Sequence, residues 1–392
     1  MMKDFVFQSA NILLPKEKFE QWAVVACDQF TSQPEYWQEV EQIVGETPST
    51  LRITLPEAYL EDGNTEERIE KVNATMVEYQ TQGVLQNYDD AMILVHRTTE
   101  SGTRKGLVGK IKLSDYDYRK GSTCLIRATE ETVLERIPPR VKIRKDASLE
   151  LPHVLLLVDD PENTILNAAQ KGDVAYDFDM MQKGGHITGW FVKEEAQEAV
   201  QQAMADLATG ENPLLFVVGD GNHSLATAKE CAALNGNEDS QYALVEIVNV
   251  HDESIQFEPI YRVLFHVDEQ DLLAKLNEKL GAEEGHTYTV VTPAGEQEIT
   301  LTANAKLPVA TLQPFLDEYL KENPGVKIDY IHGDDIVRKL CKEQGTLGFI
   351  FEGMGKDQLF DAVRQDGSLP RKTFSMGHAH EKRYYIEARK IK

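Results

Sequence analysis

The sequence predicts an α/β protein of mixed α/β and α+β character: a central mixed sheet with flanking helices, and a smaller α/β subdomain towards the C-terminus. Three observations carry that prediction. Residues 214–218, Leu-Leu-Phe-Val-Val, are an unbroken apolar run, as suits a strand buried on both faces. Residues 65–86 place Ile69, Val72, Met76 and Tyr79 at helical spacing, so a helix lays one face on a core. From 266 to 366 helical and strand-like segments alternate at short intervals, the pattern of a small α/β layer. The expected organisation is a main unit over 1–265, a subdomain over 266–366, and a basic loop with a closing strand over 367–392 that returns to the main site.

Taken in order, the chain opens with an extended segment and a short strand at 24–27, which ends in Asp28. Functional groups of α/β folds commonly sit at such strand ends. Pro34 starts a helix through Val44. A strand at 91–96 leads into a hairpin that turns at Gly102. Residues 152–160 are a second apolar strand ending in Asp159 and Asp160, a hard-oxygen pair suited either to a divalent cation or to capping the next turn. A strand at 185–192 and a helix at 193–208 deliver the chain to residue 214. Beyond it, a strand at 242–251 is expected to pair as a hairpin with 255–265 around Asp252.

Composition limits what the protein can meet. The 392 residues carry a formal charge of −24, with 41% hydrophobic and 27% charged residues. So acidic a surface repels nucleic-acid backbones and anionic membranes, so neither is expected as a partner, and an anion must be met by local basic clusters. The four cysteines, Cys27, Cys124, Cys231 and Cys341, show no paired spacing, which points to reduced thiols rather than a disulfide framework or zinc site. No apolar run approaches the ~18 residues of a membrane span, and residues 1–5 lack the apolar core of a leader. A cytoplasmic protein is expected.

The stretch with chemical content follows the apolar run: Gly219-Asp-Gly-Asn-His-Ser224, then an alanine-rich segment ending at Gly236. This reads as strand, glycine turn and helix, with Ser224 as the cap and Gly219 and Gly221 opening the turn. Such a junction aims backbone N–H groups and the positive end of a helix dipole at one point, where phosphates bind. Asp220 and His223 add an acid and an imidazole at its mouth. The alternative is a structural turn whose polar residues only cap.

Two basic stretches could supply cations. Residues 125–144 carry Arg127, Arg136, Arg140, Lys142 and Arg144 among Glu130, Glu131 and Glu135. They form either an arginine patch for phosphate or an ion-pair-laced surface helix. Residues 371–378 hold Arg371, Lys372, Thr373, Ser375, Gly377 and His378, a hydroxyl-rich basic loop suited to clamp an anion. Arg262 beside Tyr261 is a further candidate.

On these motifs the chain resembles the uncharacterised family known as domain of unknown function 1015. The matching features are Asp220-Gly-Asn-His223, Glu130 with the prolines and basic residues running to Arg144, Pro259 to Arg262, and Leu369-Pro-Arg-Lys-Thr-Phe374. Asn222, Ser224 and Arg127 depart from the family's more usual His, Arg and His. The turn also resembles that of the ParB and sulfiredoxin-like superfamily, where it holds nucleotide phosphates and nearby acids bind magnesium or act as base. The resemblance implies an enzyme of phosphoryl transfer or phosphate-ester hydrolysis acting on a small metabolite. Its catalytic residues would be His223, Asp220 and Glu130. Gly221, Asn222, Ser224, Arg127, Arg262, Arg371, Lys372, Thr373, Ser375 and His378 would bind the phosphorylated ligand, with Mg2+ on Asp220 and a nucleotide as cofactor. The turn, the arginine patch and the Lys372 loop are expected to meet in one pocket. A non-catalytic nucleotide- or metabolite-binding regulator, and a degenerate dinucleotide fingerprint for NAD with Glu246 as ribose acid, are the alternatives. A homodimer is left open.

Overall fold

A computed structural model of the chain describes residues 5–60, 63–132 and 134–392. Residues 1–4, on which most of the leader reading falls, and Val133 of the basic stretch lie outside them. The chain divides into two compact units. The first comprises Met1–Ala128, Thr132–Ile255 and Gly377–Lys392; the second comprises Thr129–Glu131 and Gln256–Met376.

The first unit is built on a mixed sheet. Its strands run in the spatial order Lys171–Met180, Gly185–Val192, Ile93–Thr99, Gly102–Lys112, Tyr242–Asn249, Leu155–Val158, Phe216–Asp220, Ile126–Ala128 and Tyr116–Asp117, with Phe7–Gln8 also on Gly102–Lys112. One half is an antiparallel meander. The other is mixed, because Leu155–Val158 runs parallel to Tyr242–Asn249 and antiparallel to Phe216–Asp220, which is parallel to Ile126–Ala128. Both faces are covered. Val154, Leu156, Phe216, Val218 and Leu225 pack in one core with the helix Glu194–Leu207, and Val24, Trp37, Val40, Val95, Leu244 and Tyr384 pack in another. The predicted helix is Thr65–Thr81, and its buried residues are Ile69, Val72, Met76 and Tyr79, as the 3.6-residue period requires. Among the described residues no helix is long and apolar enough to cross a membrane.

The structure departs from expectation at several elements. The apolar run at 214 begins two residues early: the N–H groups of Leu215 and Phe216 both donate to the Leu125 carbonyl, and the strand proper runs from Phe216 to Asp220. Gly219 therefore lies in the strand, and Gly221 alone makes the turn. The hairpin expected between 242–251 and 255–265 does not form. Tyr242–Asn249 is already paired on both edges, with Gly102–Lys112 and Leu155–Val158. Phe257–Phe265 instead enters the second unit's sheet, against Lys327–His332, Thr346–Phe351 and Phe374–Met376. The edge strand Lys171–Met180 carries Asp173, Asp177 and Asp179 on its outer face, a composition that hid it from a reading based on apolar runs.

In the second unit the sheet order is Gly295–Leu301, Gly281–Thr292, Thr346–Phe351, Phe257–Phe265 and Lys327–His332, with Phe374–Met376 also on Phe257–Phe265. The helix Glu269–Leu280 starts at Asp268, whose carboxylate accepts from the N–H groups of Gln270 and Asp271, an N-cap. The alternation seen in the sequence is thus real, and its core strand comes from just before the predicted boundary.

Candidate functional site

The site is built from the turn outward. Gly221 has φ +84° and stands at the N-cap of the helix Asn222–Asn235. A Cβ there would lie 3.1 Å from the Val154 Cα and 3.5 Å from the His153 ring. Only glycine takes the left-handed conformation without strain while letting two backbones pass so closely. Ser224 lies within the first turn and is not the cap. Gly236 closes the helix at φ +66°, as expected of a C-terminal glycine. The first N–H groups of a helix have no acceptor within it, and here they stand beside the Asp220 carboxylate, which accepts from the Gly221 N–H at 3.0 Å.

The cation at this turn comes from a residue the sequence reading passed over. The Lys382 ammonium is 3.4 Å from Asp220 Oδ2, with side chains 20% and 22% exposed. Next to Gly221, the His153 Nε2 lies 3.7 Å from Asp28 Oδ2, and these side chains are 9% and 28% exposed. Asp28, Lys382 and Asp220 thus reach solvent, while His153 stands behind. Burial pushes the Asp28 carboxyl up, but His153, the Gln29 hydrogen bond, Lys382 and Arg140 together outweigh it and hold the group below the ordinary carboxylate range. Glu57 is shifted the other way, raised by burial and by Asp28 against the pull of its ion-pair partner Arg140. Behind His153, Nδ1 is 2.9 Å from Tyr385 Oη, which lies 3.0 Å from Cys27 Sγ and accepts from the Cys27 backbone N–H at 3.2 Å. Burial and the Asp28 charge push the Cys27 thiol up to about 12, so it is no thiolate nucleophile.

The segment that carries Lys382 and Tyr385 is held in place by Arg383. The Arg383 guanidinium is buried, with Nε 2.7 Å from Glu246 Oε2 and Nη2 2.7 Å from Glu387 Oε2, and it also donates to the Pro152 carbonyl. Tyr176 donates to Glu387 Oε1 at 2.5 Å, and Arg104 lies 3.5 Å from Glu246. Arg97 donates to the carbonyls of Gly184, His380, Glu381 and Lys382. Glu246 is therefore committed to arginines, and the NAD alternative loses the acid it needed for a ribose.

The predicted residues divide between the units. Asp220, Gly221, Asn222, His223 and Ser224 form the one turn, half-buried; the His223 carbonyl accepts from Thr227. Arg127 is almost fully buried, and its Nε and Nη2 are turned to the Cys124 carbonyl, Asn212 Oδ1 and the Pro213 carbonyl. That corrects its expected role: it fixes the approach to the strand rather than facing a ligand. Of the rest of the basic stretch, Arg140 pairs with Glu57, Lys142 with Glu66, and Arg144 with Glu150, which Arg389 also meets, the ion-pair alternative. Asp160 caps the next helix by accepting from Thr164 and Ile165, and Asp159 pairs with His251 at 2.7 Å. His378 is exposed, and its N–H donates to Glu381.

Glu130, Arg262, Arg371, Lys372, Thr373 and Ser375 belong to the second unit. There Arg262 is fully buried, donating to Gln313 Oε1 and to the carbonyls of Ile260, Arg371 and Lys372. Its expected role as a ligand-binding residue is corrected in the same way: it holds the turn from beneath. Lys372 takes φ +57°, Thr373 donates to the Pro370 carbonyl, and the Arg371 and Lys372 side chains are exposed. Glu130 is bridged to Leu369.

Among the described residues no group of three or more His, Cys, Asp or Glu side chains is placed to hold a metal ion, and Asp220 faces an ammonium and a backbone N–H.

The structure thus holds a mixed α/β sheet with a strand–glycine–helix turn, an ammonium beside it and a carboxylate–imidazole pair next to the glycine. The family model DUF1015, described as a protein of unknown function, matches residues 9–319, and the chain belongs to that family. No curated protein matches the chain. Among solved structures, a free serine kinase in complex with AMP is similar at 12% identity over 72% of this chain and 90% of that one, with a TM-score of 0.41. A conserved hypothetical protein from Pyrococcus furiosus is similar at 11% over 69% and 90%, TM-score 0.37. SbnI from Staphylococcus aureus, C-terminally truncated, is similar at 9% over 69% and 82%, TM-score 0.38.

Proposed function

We propose that the protein is an enzyme of phosphoryl transfer or phosphate-ester hydrolysis that binds a nucleotide or a small phosphorylated metabolite at the Gly221 turn. The observation that carries this reading is the Lys382 ammonium beside Asp220, where the helix Asn222–Asn235 starts from a left-handed glycine. A phosphate there meets first-turn N–H groups and a cation together, the arrangement that stabilises charge on transferring oxygens. Asp28, held ionised and reaching solvent, is the group placed to accept the proton of an attacking hydroxyl or water. His153 supports that carboxylate from behind, and His223 on the helix's first turn is a second proton carrier.

The test is ligand-induced stabilisation followed by turnover. Melting temperatures are recorded with AMP, ADP, ATP and inorganic phosphate, and product formation is followed by phosphorus NMR with small hydroxylated metabolites. A rise in melting temperature that Lys382→Ala abolishes, with turnover that Asp28→Asn removes while binding persists, is the expected outcome. If none of these ligands stabilises the wild type, the reading is wrong.

A further inference from the structure

From Asp28 at the proposed site a string of groups runs inward that the phosphate reading does not use to the full: Asp28, His153, Tyr385 and Cys27. Its far end is fixed by counting protons at Tyr385 Oη. That oxygen accepts the Cys27 backbone N–H at 3.2 Å, and its own hydrogen has two acceptors in reach, His153 Nδ1 at 2.9 Å and Cys27 Sγ at 3.0 Å. A phenol has one proton to give. When His153 is neutral with its hydrogen on Nε2, Tyr385 donates to Nδ1. When His153 is cationic, Nδ1 is itself a donor, and Tyr385 Oη receives two N–H groups at once. Its hydrogen must then turn to a third atom, and the sulfur is there.

We propose that Cys27 is a positioning residue for this site: its sulfur is the second acceptor that lets the Tyr385 hydroxyl turn away when His153 takes up a proton, and so lets a cationic imidazole stand behind the Asp28 carboxylate. This rests on Asp28 and His153 being the proton-handling pair. The thiol does no covalent chemistry. No bond other than hydrogen bonds changes: the proton enters at Nδ1, the Tyr385 O–H rotates from Nδ1 to Sγ, and Nε2–H faces Asp28.

The other charges around the imidazole come from four elements. Asp28 follows the strand Val24–Val25, Glu57 is on the helical turn Glu57–Tyr59, Arg140 is on the helix Ile137–Arg144, and Lys382 lies in the C-terminal segment with Asp220 beyond it. Two carboxylates, Asp28 and Glu57, favour the cation, while Lys382 and Arg140 oppose it. None of these four touches Tyr385 Oη. A change confined to Cys27 therefore leaves their charges in place and acts on the hydroxyl alone.

The experiment is an NMR titration of His153 in the full-length protein, with His153→Gln assigning its signal among the ten histidines. Cys27→Ala leaves the buried hydroxyl without an acceptor only in the cationic state, so the His153 midpoint is expected to fall by about one pH unit. The Asp28 midpoint rises in return, because its carboxylate then faces less positive charge. Cys27→Ser, whose oxygen accepts as the sulfur does, restores both. A purely structural thiol would leave both midpoints unmoved, and that result in Cys27→Ala overturns the proposal, as does a Cys27→Ser midpoint no higher than that of Cys27→Ala. If Cys27→Ala does not fold, Tyr385→Phe removes the acceptor for Nδ1–H and must lower His153; an unmoved midpoint there overturns the proposal equally. The titrations need no nucleotide. A wild type that no phosphate ligand stabilises, but whose His153 follows Cys27, would sink the functional reading alone; a nucleotide-binding protein whose His153 ignores Cys27 would sink only this inference.

Discussion

Replacing Arg383 with methionine removes the charge on which the C-terminal segment is fastened. In the wild type the guanidinium meets Glu246 and Glu387 at 2.7 Å each, and those residues are 3% and 0% exposed. Methionine fills much of the volume but leaves both carboxylates buried, Glu246 with Arg104 at 3.5 Å and Glu387 with the Tyr176 hydroxyl. Removing one partner of a buried ion pair costs about 3–5 kcal/mol. At about 2–4 °C per kcal/mol for a unit of this size, the first unit should melt roughly 6–20 °C lower at pH 7.5. The pH dependence gives the sharper signature. Glu246 is held below its ordinary range, burial being outweighed by Arg104, Arg383 and Arg97. Its contribution is therefore present above the unfolded carboxyl value and lost as pH falls through the folded one. In the variant Glu246 loses one of the charges that hold it down and moves upward, so that protonation relieves part of the cost. The difference between wild type and Arg383→Met should be largest at pH 7.5 and shrink towards pH 5. Calorimetry at the two pH values decides it: a drop under about 3 °C at pH 7.5, below the roughly 6 °C minimum, or one that does not shrink in acid, would refute the account of this buried cluster.

Gly221→Ala should cost about 2 kcal/mol, from the left-handed backbone and the 3.1 Å approach to Val154, and should weaken phosphate binding by displacing the turn; denaturant unfolding and a ligand titration measure the two effects. Lys382→Ala removes a partly exposed pair, so stability should change by less than about 1 kcal/mol while any phosphate-induced stabilisation disappears. Tyr176→Phe deletes the hydrogen bond to Glu387 and should destabilise by about 1–3 kcal/mol, measured by urea unfolding. Arg262→Met frees the carbonyls of Arg371 and Lys372, and hydrogen exchange at 371–373 should accelerate relative to the wild type.

The sequence by itself determined the elements whose information is local. The Ile69, Val72, Met76 and Tyr79 face was legible because a helix's burial repeats along its own chain. The Gly221 turn and the Gly236 stop were legible because only glycine takes their backbone angles cheaply. The alternation of the second unit was legible for the same reason of local pattern. Tertiary structure alone decided the partners. Which strand Tyr242–Asn249 pairs with depends on edges supplied from elsewhere in the chain, and no local signal encodes that competition. Arg127 and Arg262 look like phosphate ligands in a list of arginines, yet the fold turns them to carbonyl oxygens, because a buried guanidinium must satisfy its donors wherever the backbone offers acceptors. Asp28, His153, Lys382 and Tyr385 meet beside Gly221 from segments hundreds of residues apart in places. The sequence places Arg383 and Glu387 on either side of the apolar Tyr384-Tyr-Ile386. Charges are put there only when something buried answers them, and what answers Arg383 is Glu246, which the fold brings to it.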